Sequence, residues 1–449
     1  MEGLARQESQ VRQRMTRFTG TSEDHAMNRF WMALAATGLL GTAAFAASPD
    51  PKDLAIPAVE MSRARELVRQ LASESYKERE QAQDDLAKMG RLARPALSEA
   101  LATDPSPEIR ARASRLIPRA EAADLQARID TFLADTEAKF QHDLPGWKLL
   151  RKSLDTKEVG FEKSARELYV EAIKVPANLE ILAALELNPE NAGRAIADRR
   201  ITLFLQQNPG VYGRVQPGVS MTPRQPTLAD VGVLLFAEMT IDGKHIPRSN
   251  QFGVTGAQFV QIAPSMQAIA NPDSTPQGKA YRQIFIKWID SRITPEELNT
   301  VAWIANSFKN LKESGSLLRR ILTTEGVQGY AKGQALIFLL QRGKEELPTI
   351  RGQLKNETAL NNGKIQIAPG VNIDTQVRDI ALALLLHNDG QDLKKFGFEF
   401  QPGFNVAQVA QTYWGYGFKS EEDRTAAHKK FLEYEAKKKA EPKKEEGKK

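Results

Sequence analysis

Histidines, cysteines and spaced acids are the residues that would carry chemistry, and here they are scattered. The five histidines, His25, His142, His245, His387 and His428, have no second histidine within four residues, so no helix-borne zinc pair is spelled out. The chain has 0 cysteines, which removes disulfides, thiolate ligands and a cysteine nucleophile. It also lacks the phosphate-binding and dinucleotide glycine patterns, H-E-x-x-H and G-x-S-x-G. His245 follows Asp242-Gly243-Lys244 and reads as a turn histidine. His387-Asn388-Asp389-Gly390 lacks the alternating oxygen ligands of a calcium loop and reads as a helix C-terminus closed by glycine. No catalytic, cofactor-binding or metal-ligating residue is assigned, and no cofactor is expected.

Adhesion is better represented than catalysis. Residues 208–226 hold four Pro, three Gly, two Arg and no acid, which is a loop composition. Tyr212, Arg214 and Arg224 are its candidate partner contacts, because tyrosine and arginine dominate binding hot spots. A plain linker between two helical halves is the competing reading.

The elements that would position such a loop are helical. Leu67, Val68 and Leu71 form one apolar stripe, and Ala82, Leu86 and Met89 form the next, ended by Gly90. Pro95 opens a further helix carrying Leu97 and Leu101, and Ile109, Ala113, Leu116 and Ile117 mark a third. Arg79, Ala82, Leu86, Gly90, Pro95, Leu97 and Leu101 recur 253 residues later as Lys332, Ala335, Leu339, Gly343, Pro348, Ile350 and Leu354. Ile109-Arg110 and Ala113 then recur as Val377-Arg378 and Ala381, after about 15 extra residues. Lys364-Ile365-Gln366-Ile367 with Pro369-Gly370 makes that insert a small hairpin or loop. Helical spacing also runs through 119–141, 177–187, 190–206, 227–239, 257–270, 277–291 and 295–310, with a generic helix pair between Trp147 and Pro176. Trp288 and Trp303 fall on helical stripes and read as core, and the aromatics of 413–418 read as a clamp on the last helix.

Asp104-Pro105-Ser106-Pro107-Glu108-Ile109-Arg110, after Pro95-Ala96-Leu97 and before Ala113, resembles the HEAT-repeat signature, over 59–121 and again over 328–388. The resemblance implies an all-α fold of α-solenoid-like helical hairpins at both ends, with an irregular helical middle. It also implies that Arg110 and Arg378 reach an Asp or carbonyl groups of a neighbouring turn, and that the protein binds other proteins rather than catalysing a reaction.

With 41% hydrophobic and 26% charged residues the composition is that of a folded protein. The net charge of +6 is concentrated at the ends: residues 429–449 hold nine Lys and five Glu, and 47–428 are left near +1. A nucleic-acid partner is therefore not expected. Residues 30–46 are an uncharged apolar run after Arg29 and end in Ala44-Phe45-Ala46, which reads as a signal peptide cleaved between Ala46 and Ala47, with Met27 as the start. Left uncleaved, 30–46 would be an inner-membrane anchor; cleaved, the chain is exported to the periplasm or beyond.

The expected order is thus an extension and signal over 1–46, a linker over 47–58 and HEAT-like repeats over 59–121. A helical region over 122–207, the loop 208–226 and a helical region over 227–320 follow. A HEAT-like region over 321–428 with insert 356–372 and a charged, disordered tail over 429–449 complete it. The expected function is a protein–protein interaction or scaffold module with an unknown protein partner. An enzyme of lyase or hydrolase type with a site assembled between helices, and a nucleic-acid-binding HEAT protein, are the alternatives.

Overall fold

The computed structural model describes residues 47–154, 160–208, 224–247, 254–308, 311–361 and 363–440. The protein is all-α, with two small antiparallel strand pairs. It divides into two compact units. The first comprises the described residues of Met1–Arg199 and Ile241–Arg248; the second comprises those of Arg200–Thr240 and Ser249–Lys449.

The first unit opens with α1 (Ala58–Gln70), α2 (Tyr76–Met89), α3 (Arg94–Thr103) and α4 (Pro107–Ala134). Local chemistry sets these ends. Ser75 and Ser106 cap α2 and α4 by accepting from Glu78 N and Ile109 N. Gly90 ends α2 at φ +54°, a backbone that side chains with a Cβ adopt only with strain, and Pro95 lies in the first turn of α3. The apolar faces meet in one cluster: Ala64, Val68, Leu71, Ala82, Leu86, Ala93, Leu97 and Ala113 are all buried. Leu101, expected on that face, is 41% exposed, because the stripe of α3 ends at Ala100.

Helix α4 is longer than its repeat. It runs through Pro118 and absorbs the first part of the helix expected over 119–141, then stops at Ala134. The stop is made by Asp135, whose buried carboxylate accepts from Lys139 N (2.9 Å), Phe140 N (3.1 Å) and His142 Nε2 (2.9 Å). These bonds fold 135–142 into a turn instead of a further helical segment. Helices α5 (Trp147–Ser153), α6 (Phe161–Ile173), α7 (Pro176–Leu187) and α8 (Pro189–Gln207) follow, and the boundary between the units falls within α8. Phe132, Trp147 and Tyr169 pack edge to face in this part of the core.

The second unit continues with α9 (Leu228–Thr240), α10 (Ala257–Val260), α11 (Ala263–Ala270), α12 (Gly278–Ser291), α13 (Pro295–Ser307) and α14 (Lys312–Thr323). Then come α15 (Gly329–Arg342), α16 (Leu347–Gly352), the hairpin β1 (Ile365–Ala368) and β2 (Val371–Ile373), α17 (Val377–Asn388), the pair β3 (Glu399–Phe400) and β4 (Tyr416–Gly417), and α18 (Glu421–Ala440). The insert is thus a hairpin, as its alternation indicates. Helix α17 packs against α15, α16 and α18, which is why its stretch 380–386 is buried and apolar on every face. Trp288 is fully buried, whereas Trp303 is half-buried. The aromatics of 413–418 form β4 and its approach, with Tyr416 and Phe418 buried and Trp414 54% exposed.

Residues 429–440 are helical and not disordered as their charge pattern implies. Phe431 is the anchor: it is 1% exposed, while Leu432 beside it is 62% exposed. Glu435 pairs with Arg351, and Lys438 reaches Asp389 at 2.7 Å. One buried ring and two ion pairs hold a helix that composition alone disfavours. Residues 441–449 lie outside the described residues.

Candidate functional site

The repeat residues occupy two equivalent turns in the first unit. Arg79 Nη1 donates to the carbonyls of Ser73 (2.7 Å) and Glu74 (3.0 Å). Arg110 Nη1 donates to the carbonyls of Asp104 (2.6 Å) and Pro105 (3.1 Å). In both turns the side chain six residues before the arginine also bonds the backbone N–H of the helix-capping serine. The unit is therefore Ser/Asp-x-Ser-x-x-x-Arg, repeated after 31 residues, with Ala82 and Leu86 matched by Ala113 and Ile117. The 31-residue spacing is written in the sequence itself, nearer than the correspondence at 253.

The second unit carries the distant copy with one difference. Ala335 and Leu339 are buried like Ala82 and Leu86, Gly343 ends α15 at φ +147°, and Pro348 lies in the first turn of α16. Ile350 is buried, but Leu354 sits half-buried in a 3-10 turn because α16 stops at Gly352. Lys332 stands where Arg79 stands. It is 6% exposed and, unlike the Arg79 guanidinium, its ammonium makes no hydrogen bond or ion pair among the described residues. Burial holds its ammonium below the usual lysine value, against the pull of Glu325.

Lys332 lines a cavity of about 520 Å³. One wall is the turn before α15 and its first residues, Glu325 to Gly329; the other is Thr358 to Asn361. Gly329 permits this arrangement, since a Cβ there would lie 2.1 Å from the Ala359 carbonyl oxygen. Gln328, the residue before α15, provides no side-chain cap, although its own N–H donates to Asn299 Oδ1 at 2.9 Å, and no acid stands in the first turn of α15. A mostly buried lysine, a helix start without a side-chain cap and open volume thus meet at one place in the second unit, the features of a candidate binding site.

Arg378 does not repeat the bonds of Arg110. Its guanidinium reaches Gln376 (2.7 Å), Glu357 (3.1 Å) and Glu421 (2.7 Å), side chains rather than turn carbonyls. The insert before α17 removes the short turn that supplies carbonyls in the first unit. Beside it, Arg424 on α18 donates through Nε to both carboxylate oxygens of Asp379 (2.8 and 3.1 Å) and through Nη2 to Asp374 (2.9 Å), and pairs with Glu421. Burial pushes the Asp379 carboxyl up to about 6 against the opposing Arg424 guanidinium, so the pair is ionised at neutral pH. His428 lies 4.0 Å from Asp379 with its Nε2 buried and without a hydrogen-bond partner among the described residues. Desolvation, and then Arg378 and Arg424, push it down to about 4, so it is neutral. Arg424 and Asp379 are buried at the centre of this cluster and Glu421 and Glu357 are exposed at its rim, so it clamps α17 to α18.

Of the expected partner contacts, Arg224 is exposed and its backbone N–H donates to Gln206 O at 3.0 Å. Tyr212 and Arg214 lie outside the described residues, as does Ala46; Ala47 is half-buried. His245 lies in a short 3-10 turn, and His387 is in the last turn of α17, followed by Gly390 at φ +68°. Among the described residues no group of three His, Cys, Asp or Glu could hold a metal ion, and no helix is long and apolar enough to cross a membrane.

Comparison with family models, with curated proteins and with solved structures finds no match to this chain.

Proposed function

We propose that this protein is an exported, HEAT-like helical-repeat protein that works as a protein-interaction or scaffold module. The observation that carries the reading is the reiterated turn–helix unit, in which Arg79 and Arg110 make the same pair of carbonyl bonds 31 residues apart. Repeated helical hairpins with built-in turn locks suit a protein whose purpose is a long, stable surface. On this reading the stacking is solenoid-like, and Tyr212, Arg214 and Arg224 supply side chains for a partner.

The test is capture from the cell-envelope fraction with the mature chain, quantified against a chain carrying Tyr212→Ala, Arg214→Ala and Arg224→Ala. A specific polypeptide retained by the first and lost from the second supports both the module and the loop. No retained polypeptide at any salt concentration argues against the module. N-terminal mass spectrometry of native protein tests export, with Ala47 as the expected first residue.

A further inference from the structure

The position of Lys332 has a built-in control in the first unit. Arg79, its counterpart 253 residues earlier, spends its guanidinium on the carbonyls of Ser73 and Glu74. The counterparts of those residues are Gly326 and Val327, and both line the Lys332 cavity. The lysine is shorter, bonds neither carbonyl, and lines open volume beside them. Lys332 is 6% exposed as a residue and its ammonium has no acid within ion-pair distance among the described residues, so an anion placed beside it in the cavity would be favoured.

We propose that this cavity binds a carboxylate-bearing ligand, held between the Lys332 ammonium and the uncapped start of α15. The charge count selects a single negative charge. One ammonium and the partial positive charge of a helix start face the cavity, and exposed Glu325 on its lining opposes a second negative charge, so a monoanion suits it better than a phosphate dianion. The volume selects more than a bare ion, because about 520 Å³ is room for a substituent of several carbons. Buried Val327 and Leu360 supply apolar wall for that substituent. Gln328, Thr358 and Asn361 line the same space, and their side chains make no hydrogen bond among the described residues, so they are free to orient the carboxylate. The site goes beyond the protein-interaction reading and does not depend on it. The carboxylate has two possible sources, a free organic acid or the terminus of a polypeptide.

The experiment uses the full chain with hexanoate, hexanamide, inorganic phosphate, and one short peptide with a free or an amidated C-terminus. Side-chain ¹⁵N NMR of lysine follows Lys332 directly, and isothermal calorimetry gives affinities. Hexanoate is expected to shift the Lys332 signal saturably, and hexanamide is not. Lys332→Met, which only removes a buried charge, should weaken hexanoate about tenfold or more. Glu325→Gln, at an exposed position, should tighten hexanoate a few-fold and phosphate by more. The free-acid peptide binding more tightly than hexanoate, with the amidated one lost, assigns the source to a chain terminus; hexanoate binding as well as the peptide assigns it to a free acid. Equal binding of hexanoate and hexanamide, undiminished binding in Lys332→Met, or phosphate outcompeting hexanoate would each overturn the proposal.

Discussion

Arg79 and Arg110 stand 31 residues apart and make the same bonds: each donates through Nη1 to the carbonyl oxygens six and five residues before it. Those carbonyls belong to the turn that leads into the arginine's own helix, so each arginine ties the turn to the helix it precedes. Arg110→Ala should therefore cost about 1–2 kcal/mol, the worth of two carbonyl bonds to a partly buried cation. Arg119→Ala, exposed on the same helix, should cost close to nothing. Urea denaturation of the two variants checks the difference; equal midpoints would remove the turn lock from the account of stability.

Leu86 is 1% exposed within the first-unit cluster, and Lys88 two residues on is exposed. Leu86→Ala should lower stability by about 2–5 kcal/mol through lost burial and the cavity left behind. Lys88→Ala should fall within about 0.5 kcal/mol of wild type. Thermal unfolding followed by circular dichroism tests the pair, and a small shift for Leu86→Ala would put the helix phase in error.

Arg424 is 2% exposed and its Nε is shared between the two carboxylate oxygens of buried Asp379. Arg424→Met should cost about 3–5 kcal/mol, because it strands a buried carboxylate. The double variant Arg424→Met with Asp379→Asn should recover part of that loss, since the stranded charge is then gone. Non-recovery in the double variant would mean that packing, not charge, sets the cost.

His428 has its folded-state pKa pushed down to about 4 from an ordinary 6.5. Between those values the unfolded chain binds the proton and the folded chain does not, so stability falls as pH drops from 6.5 towards 4. Asp379, raised to about 6 from 3.8, acts in the opposite sense over the overlapping range, so wild type alone would blur the effect. The comparison with His428→Gln isolates it: the variant should gain on wild type on acidification, by roughly 1–3 kcal/mol at pH 4. Urea titrations at pH 7, 5.5 and 4 measure this, and parallel curves would show that His428 ionises in place.

What the sequence determined by itself was local. Gly90, Gly343, Pro95 and Pro348 mark helix ends in the chain and mark them in the structure, because backbone conformation at a helix end depends on neighbours a few residues away. The apolar stripes around Leu86 and Leu339 were legible for the same reason, as was the insert hairpin. Tertiary structure decided what depends on distant partners. The charged segment after 428 is helical because Phe431 finds a buried place and Glu435 and Lys438 find Arg351 and Asp389, none of which its own composition announces. Arg378 exchanged turn carbonyls for Glu357 and Glu421 once the insert reshaped the approach to α17. The same holds for Lys332. Its alignment with Arg79 was readable, but whether its ammonium meets a carbonyl or an open cavity is fixed by the approach of Ala359 to Gly329, a contact across 30 residues that no local pattern encodes.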